Sequence, residues 1–172
     1  MTRLKTAIVA LYTLFAGTLG GFFFAFTNPT MMGFANTDPH TYVDAMNQIN
    51  FAVRNPIFFT LFFLTPALGI LAALVTRLNP WLIAAALGSG VSFYLTASQH
   101  VPMNHLMEAW VPGSYPPAAE IIQFREDWTF YNTLRTCLSI AATASALIYL
   151  SSAPRPAPQP DRGYLEGQPD PT

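Results

Sequence analysis

The chain predicts an all-α fold: an integral membrane four-helix bundle with two longer outer segments that themselves contain helices. Three observations carry this. Four long stretches hold no charged side chain, between Lys5 and Asp38, Arg54 and Arg77, Arg77 and Glu108, and Arg135 and Arg155. Each is long enough to cross a hydrocarbon core of about 30 Å at about 1.5 Å per residue. Hydrophobic residues make up 52% of the chain and charged residues 10%, against about 25% charged in an ordinary soluble domain. Backbone in lipid must satisfy its own hydrogen bonds, so the spans are helices.

The first span covers about residues 6–27. Arg3 and Lys5 precede it, but its apolar run exceeds the about 7–15 residues of a secretory signal core, so it is retained. Ala16/Gly20 and Gly17/Gly21 recur four apart, a spacing that lets another helix approach closely. Asn28-Pro29 ends the span. Asp38 then caps a helix with Pro39 in its first turn, running to about Arg54. Tyr42, Met46, Ile49 and Val53 share one face of it, and Asn47, Asn50 and Arg54 another, so it lies over the bundle mouth.

Asn55-Pro56 repeats the cap-then-proline pattern and opens the second span, about 56–75. Arg77-Leu78-Asn79-Pro80 is a tight turn, and Trp81 takes the membrane interface. The third span covers about 81–100, with Pro102 placed to bend or stop it. In the second outer segment Pro112, Gly113, Pro116 and Pro117 mark a turn. A helix from near Pro117 runs on into the fourth span, about 132–150. Residues 1–150 form one domain, and the proline-rich tail 151–172 reads as disordered.

The net charge of −1 gives no basic footprint for nucleic acid. The single cysteine, Cys137, excludes an intramolecular disulfide and a cysteine-built metal site; it reads as a small filler between helices. Arg3, Lys5, Arg77, Arg155 and Arg162 fall on one side of the membrane, Arg54, Arg125 and Arg135 on the other. The excess of positive charge puts both termini in the cytoplasm of a plasma (inner) membrane protein.

Polar residues gather at the outer span ends in two constellations. One is Asn47, Asn50, Arg54 and Asn55; the other is His100, Asn104, His105, Trp128, Asn132 and Arg135, with Asn28 at the same level. Trp128, Asn132 and Arg135 share one helix face. A guanidinium at the membrane boundary needs partners. Either Arg54 and Arg135 pair with Glu108, Glu120, Glu126 or Asp127, or they anchor helix ends by snorkelling. His100, Asn104 and Glu108 lie four apart, but Pro102 interrupts the helix that would present them, so no metal site is expected. Nothing in the chain reads as a phosphate loop or a serine nucleophile beside a base, and no cofactor is expected.

At these residues the chain resembles the anthrone oxygenase-like membrane proteins, long known as a domain of unknown function. The resemblance covers about residues 8–150. It rests on Gly21-Phe22-Phe23-Phe24-Ala25-Phe26 running into Asn28-Pro29 with Met32 after, on Met46-Asn47-Gln48-Ile49-Asn50, on Arg54-Asn55-Pro56, on Val101-Pro102-Met103-Asn104, and on the run from Trp128 through Asn132 and Arg135 to Thr136. His100 stands where the family usually has asparagine, and Phe130-Tyr131 where it tends to carry tryptophan then asparagine.

The resemblance implies oxidation of an anthrone-like or phenolic small molecule by molecular oxygen, without a cofactor. For that chemistry Arg135, Asn132 and His100 are the candidate catalytic residues, His100 as base. Asn28, Asn50, Arg54, Asn104 and Trp128 are the candidate substrate contacts, with Phe22–Phe26 as an aromatic slot. The expected partners are a small hydrophobic aromatic molecule and the lipid bilayer. Two readings stay open beside it: a non-enzymatic membrane binding or partner protein, and a transporter of a small hydrophobic molecule.

Overall fold

A computed structural model describes residues 2–152. The proline-rich tail lies outside the described residues from position 153 onward; Ser151 closes the last helix and Ser152 caps it. Helix α1 (Arg3–Ala25) continues through a π-helical turn (Phe26–Thr30) into α2 (Met31–Phe34). Helices α3 (Pro39–Val53), α4 (Pro56–Val75) and α5 (Pro80–Leu95) follow. A second π-helical turn (Thr96–His100) leads into α6 (Val101–Glu108), and α7 spans Ala118–Ser151. Four continuous helical stretches are long and apolar enough to cross a membrane: Arg3–Phe34, Pro56–Val75, Pro80–Glu108 and Ala118–Ser151. The protein is an integral membrane helical bundle.

Two prolines expected to interrupt helices do not end them. Pro29 has no N–H to offer the Ala25 carbonyl; the Thr30 hydroxyl donates to that carbonyl instead, at 2.9 Å. The turn widens to π geometry and the helix runs on to Phe34. Pro102 lies in the first turn of α6, directly after the other π turn. Within a regular α-helix each proline would cost about 3 kcal/mol; a widened turn accommodates it.

At the starts of α4 and α5 the asparagines cap as their sequence positions require. Asn55 Oδ1 accepts from the Phe58 N–H at 3.0 Å, and Asn79 Oδ1 from the Trp81 N–H at 3.1 Å. Asp38 occupies the corresponding position of α3, but its side chain makes no capping bond. Between α4 and α5 the chain reverses through Arg77 and Leu78, both left-handed at φ 59° and 58°. The Leu78 N–H bonds the Ala73 carbonyl there, at 2.8 Å.

Helices α1, α4, α5 and α7 form a ring in which each packs on the next, and α3 and α6 stack together over one end. That capped end has its own core of Met31, Tyr42, Val43, Met46, Met107, Trp110, Ile121, Phe124 and Trp128. Tyr42 is enclosed in it, and burial raises its phenol above the ordinary value. Asn47 Nδ2 donates to the Met107 carbonyl at 3.1 Å, tying α3 to α6. Tyr115 in the loop before α7 donates to Asp44 Oδ1 at 2.6 Å, which pushes its pKa up to about 12. At the opposite end Val9, Tyr12, Ala16, Leu82, Ala85 and Ala146 pack together. The Tyr12 hydroxyl donates there to the Ala85 carbonyl at 2.8 Å and lies 2.7 Å from Ser89 Oγ.

Small residues let α7 close on both neighbours. A Cβ at Gly20 would stand 3.2 Å from Ser139 Cβ, whereas one at Gly21 would meet nothing within 4 Å. Only the Ala16/Gly20 pair of the two spaced pairs therefore acts as a packing stripe toward α7. At Gly88 a Cβ would stand 3.1 Å from the Leu138 carbonyl oxygen and 3.2 Å from Ala142 Cβ. Gly88→Leu should therefore lower stability by about 1–3 kcal/mol, measured as a fall in unfolding midpoint in detergent, while Gly90→Leu, where a Cβ meets nothing, should not.

Cys137 is exposed on the outer surface of α7. It faces outward and does not fill a gap between helices, because it lies two residues from the inward-facing Arg135 and each helical residue turns about 100°.

Candidate functional site

Trp128, Asn132 and Arg135 recur along α7 at i, i+4 and i+7, and all three are buried. Asn132 is fully enclosed. Its Nδ2 donates to the Phe23 carbonyl at 2.8 Å and to Thr27 Oγ1 at 2.6 Å. Its Oδ1 accepts from Arg135 Nε at 2.8 Å. Asn132 thus fastens α1 to α7 with one end of its amide and orients the guanidinium with the other. Arg135 Nη1 donates to Thr96 Oγ1 at 3.1 Å, on the π turn after α5. The guanidinium lies over the Phe23 ring at 4.1 Å and near Trp128 at 5.5 Å.

Among the described residues no carboxylate pairs with Arg135. Glu120, Glu126 and Asp127, weighed above as partners, do not reach it; Asp127 instead accepts from Gln123 at 3.0 Å. Arg54 does find a carboxylate, forming an ion pair with Glu108. Nη2 of Arg135 takes no hydrogen bond among the described residues.

Arg135 opens into a cavity of about 250 Å³ beneath α3. Phe22 and Phe26 of α1, Phe58, Phe59 and Phe62 of α4, and Trp128 form its aromatic walls. Ile49, Asn50, Val53 and Arg54 come down from α3; Thr96, His100, Val101, Asn104 and His105 come from the α5–α6 helix. Asn50 is buried and its Nδ2 has no partner among the described residues. His100 is 1% exposed, and neither ring nitrogen has a partner among the described residues. Its ring stands edge-on to Trp128, centroids 4.8 Å apart at 87°. Trp128 Nε1 donates to Asn104 Oδ1 at 2.9 Å, which fixes the indole and leaves the Asn104 amide nitrogen free to donate.

The residue match is decisive as to kind. Positions 50–145, more than half of the 172 residues, match the family model described as anthrone oxygenase. The chain belongs to the anthrone oxygenase family. The matched region runs from Asn50 and includes Arg54, His100, Asn104, Trp128, Asn132 and Arg135. Phe22, Phe26 and Ile49 line the same cavity from just before it. No curated protein and no solved structure gives a match.

Of the eight candidate residues named from sequence, the cavity brings together Asn50, Arg54, His100, Asn104, Trp128 and Arg135. Asn132 lies behind Arg135 and does not line the cavity, so it positions the guanidinium and does not touch a ligand. Asn28 is exposed on the first π turn and lies outside the cavity; the widened turn rotates it away. Of the aromatic slot, Phe22 and Phe26 line the cavity, Phe23 supports Arg135 and Phe24 is exposed.

Sequence reasoning missed the α4 wall. Its signal was present as the doublets Phe58-Phe59 and Phe62-Phe63, one turn apart. Phe58 and Phe62 stack at 5.7 Å, and Phe62 stacks on Phe93 at 4.7 Å, closing the floor.

Proposed function

We propose that this protein oxidises an anthrone-like or phenolic small molecule with molecular oxygen in the cavity under α3. The observation that carries the reading is Arg135: a buried guanidinium held only by neutral partners and open to an aromatic-walled space. A buried charge is costly unless it is compensated, and a ligand that becomes anionic during reaction supplies the compensation when it is needed.

An anthrone carries an acidic methylene, because losing its proton gives an aromatic enolate. In this reading His100 receives that proton. Arg135 and the amides of Asn50 and Asn104 hold the oxyanion. The electron-rich carbon transfers electrons to oxygen and bonds to it, giving a hydroperoxide; loss of water then leaves a carbonyl. One oxygen atom enters the product and the other departs as water, four electrons having passed from substrate to O₂. The phenylalanine walls keep bulk water from the enolate.

Purified protein in detergent should accelerate the oxidation of anthrone above the rate in empty detergent, since anthrones also oxidise unaided. A panel of anthrones and naphthols none of which exceeds that background would replace this reading with a non-catalytic binding role. A path for transport finds no support in the cavity, whose lining residues all belong to the capped end.

The same reading places the capped end outside and both termini in the cytoplasm of a plasma membrane. Arg54 is paired with Glu108, Arg125 bonds the Phe34 carbonyl and Arg135 is buried. None of these three is a free loop cation, which leaves the positive-inside bias with Arg3, Lys5 and Arg77. In a Cys137→Ser background, cysteines at Asp44 and Glu120 should label from outside and one at Pro160 from inside. Labelling of all three from one face would discard the topology.

A further inference from the structure

The cavity has two rims of opposite character. One is polar: Arg54 and His105 line it. Glu108 joins them, pairing with Arg54 and lying 3.4 Å from His105 Nδ1. This ties the end of α3 to the end of α6 across the side that faces water. The other rim is apolar. Phe59 on α4 and Val101 at the start of α6 both line the cavity, yet they are 42% and 44% exposed. Their helices are neighbours in the ring, and the same outer surface carries exposed Phe63 and Tyr94. On a membrane-spanning helix such a surface meets lipid. Helix α4 has 20 residues, close to the about 20 that just cross the hydrocarbon. Phe59, one turn from its start, therefore lies at the hydrocarbon edge.

We infer that the cavity admits its ligand sideways from the bilayer, between Phe59 and Val101, and that its substrates are aromatic weak acids dissolved at the hydrocarbon edge rather than solutes taken from water. The inference rests on the proposed oxidation for the class of ligand. A neutral tricyclic or naphtholic molecule concentrates in lipid because its apolar surface leaves water. It passes an apolar rim without losing hydration and meets Arg135, Asn50 and His100 only inside. Ionisation there takes place away from both lipid and water, and the uncharged product leaves by the same rim. The Arg54–Glu108 pair closes the water side, so that the enolate is not quenched from it.

The test uses the full chain in lipid nanodiscs with 1-naphthol as the probe, followed by stopped-flow quenching of tryptophan fluorescence. Val101→Phe narrows the rim and should slow association at least about tenfold, a change in on-rate with equilibrium affinity kept within about twofold. Phe59→Ala widens the rim and should speed association, which guards against a folding defect in the first variant. Glu108→Gln breaks the ion pair on the water side and should leave the association rate within about twofold of wild type. Faster association in Glu108→Gln with no change in Val101→Phe or Phe59→Ala would overturn the lipid route while leaving the oxidation reading intact. Absence of any naphthol binding to the wild type would remove both.

Discussion

Arg135→Met should slow anthrone oxidation by about 10²–10³-fold and leave the unfolding midpoint unchanged or higher. The two outcomes together distinguish a site from a scaffold. A structural arginine holds a carboxylate, and its loss orphans a charge at about 3–5 kcal/mol. Arg135 holds only Asn132 and Thr96. Replacing it with an apolar side chain of similar length removes an uncompensated buried cation, and the remaining cost is one unsatisfied amide oxygen on Asn132, about 1–3 kcal/mol. Arg135→Lys should fall between, keeping charge but losing the planar fork of donors. Wild-type turnover in Arg135→Met, or a collapse of stability with no separate loss of rate, would assign the residue to the scaffold.

The second large effect is expected at His100. His100→Gln keeps much of the volume and the packing against Trp128 but removes the base. Turnover should fall about 10²–10⁴-fold, while binding of the anthraquinone product, which has no proton to give, stays close to wild type. That split is the signature of proton transfer. A parallel loss of product binding would mean that His100 shapes the cavity, and a variant with full activity would leave the proton to another acceptor. Because both ring nitrogens lack partners among the described residues, either can face a ligand, and glutamine reproduces neither as a base.

The four spans were legible because lipid admits few charges, and the breaks between charge-free stretches mark the helix ends. The cavity residues were legible by depth: asparagine, arginine and tryptophan at the span ends lie at one level, and six of the eight candidates converge there. Depth does not fix azimuth. Asn28 has the right height and the wrong direction. Asn132 has the right direction, but a full set of partners keeps it from the cavity. Phe58 and Phe62 read as lipid-facing because phenylalanine serves lipid, core and ligand alike. The outward position of Cys137 was within reach of the sequence, given Arg135 inward and the helical period. The Arg54–Glu108 pair was one of several carboxylate options until α3 and α6 were seen to stack.

The two π turns carry a consequence for insertions and deletions. Each hydrogen-bonds i to i+5 and so takes up one more residue per turn than its α-helical flanks. Thr27 belongs to one of these turns and Thr96 and His100 to the other. Losing a single residue from Thr96–His100 would restore α geometry, and everything beyond it would turn by about 100° relative to α5. His100 and Asn104 would swing off the cavity while the bundle beneath kept its packing. Such a deletion should yield a protein that inserts and folds but no longer binds 1-naphthol, whereas a full-turn deletion in the lower half of α5 would shorten the span without re-aiming the site. Helix phase is thus a coordinate of function in this protein, set by counting residues and not by any one side chain.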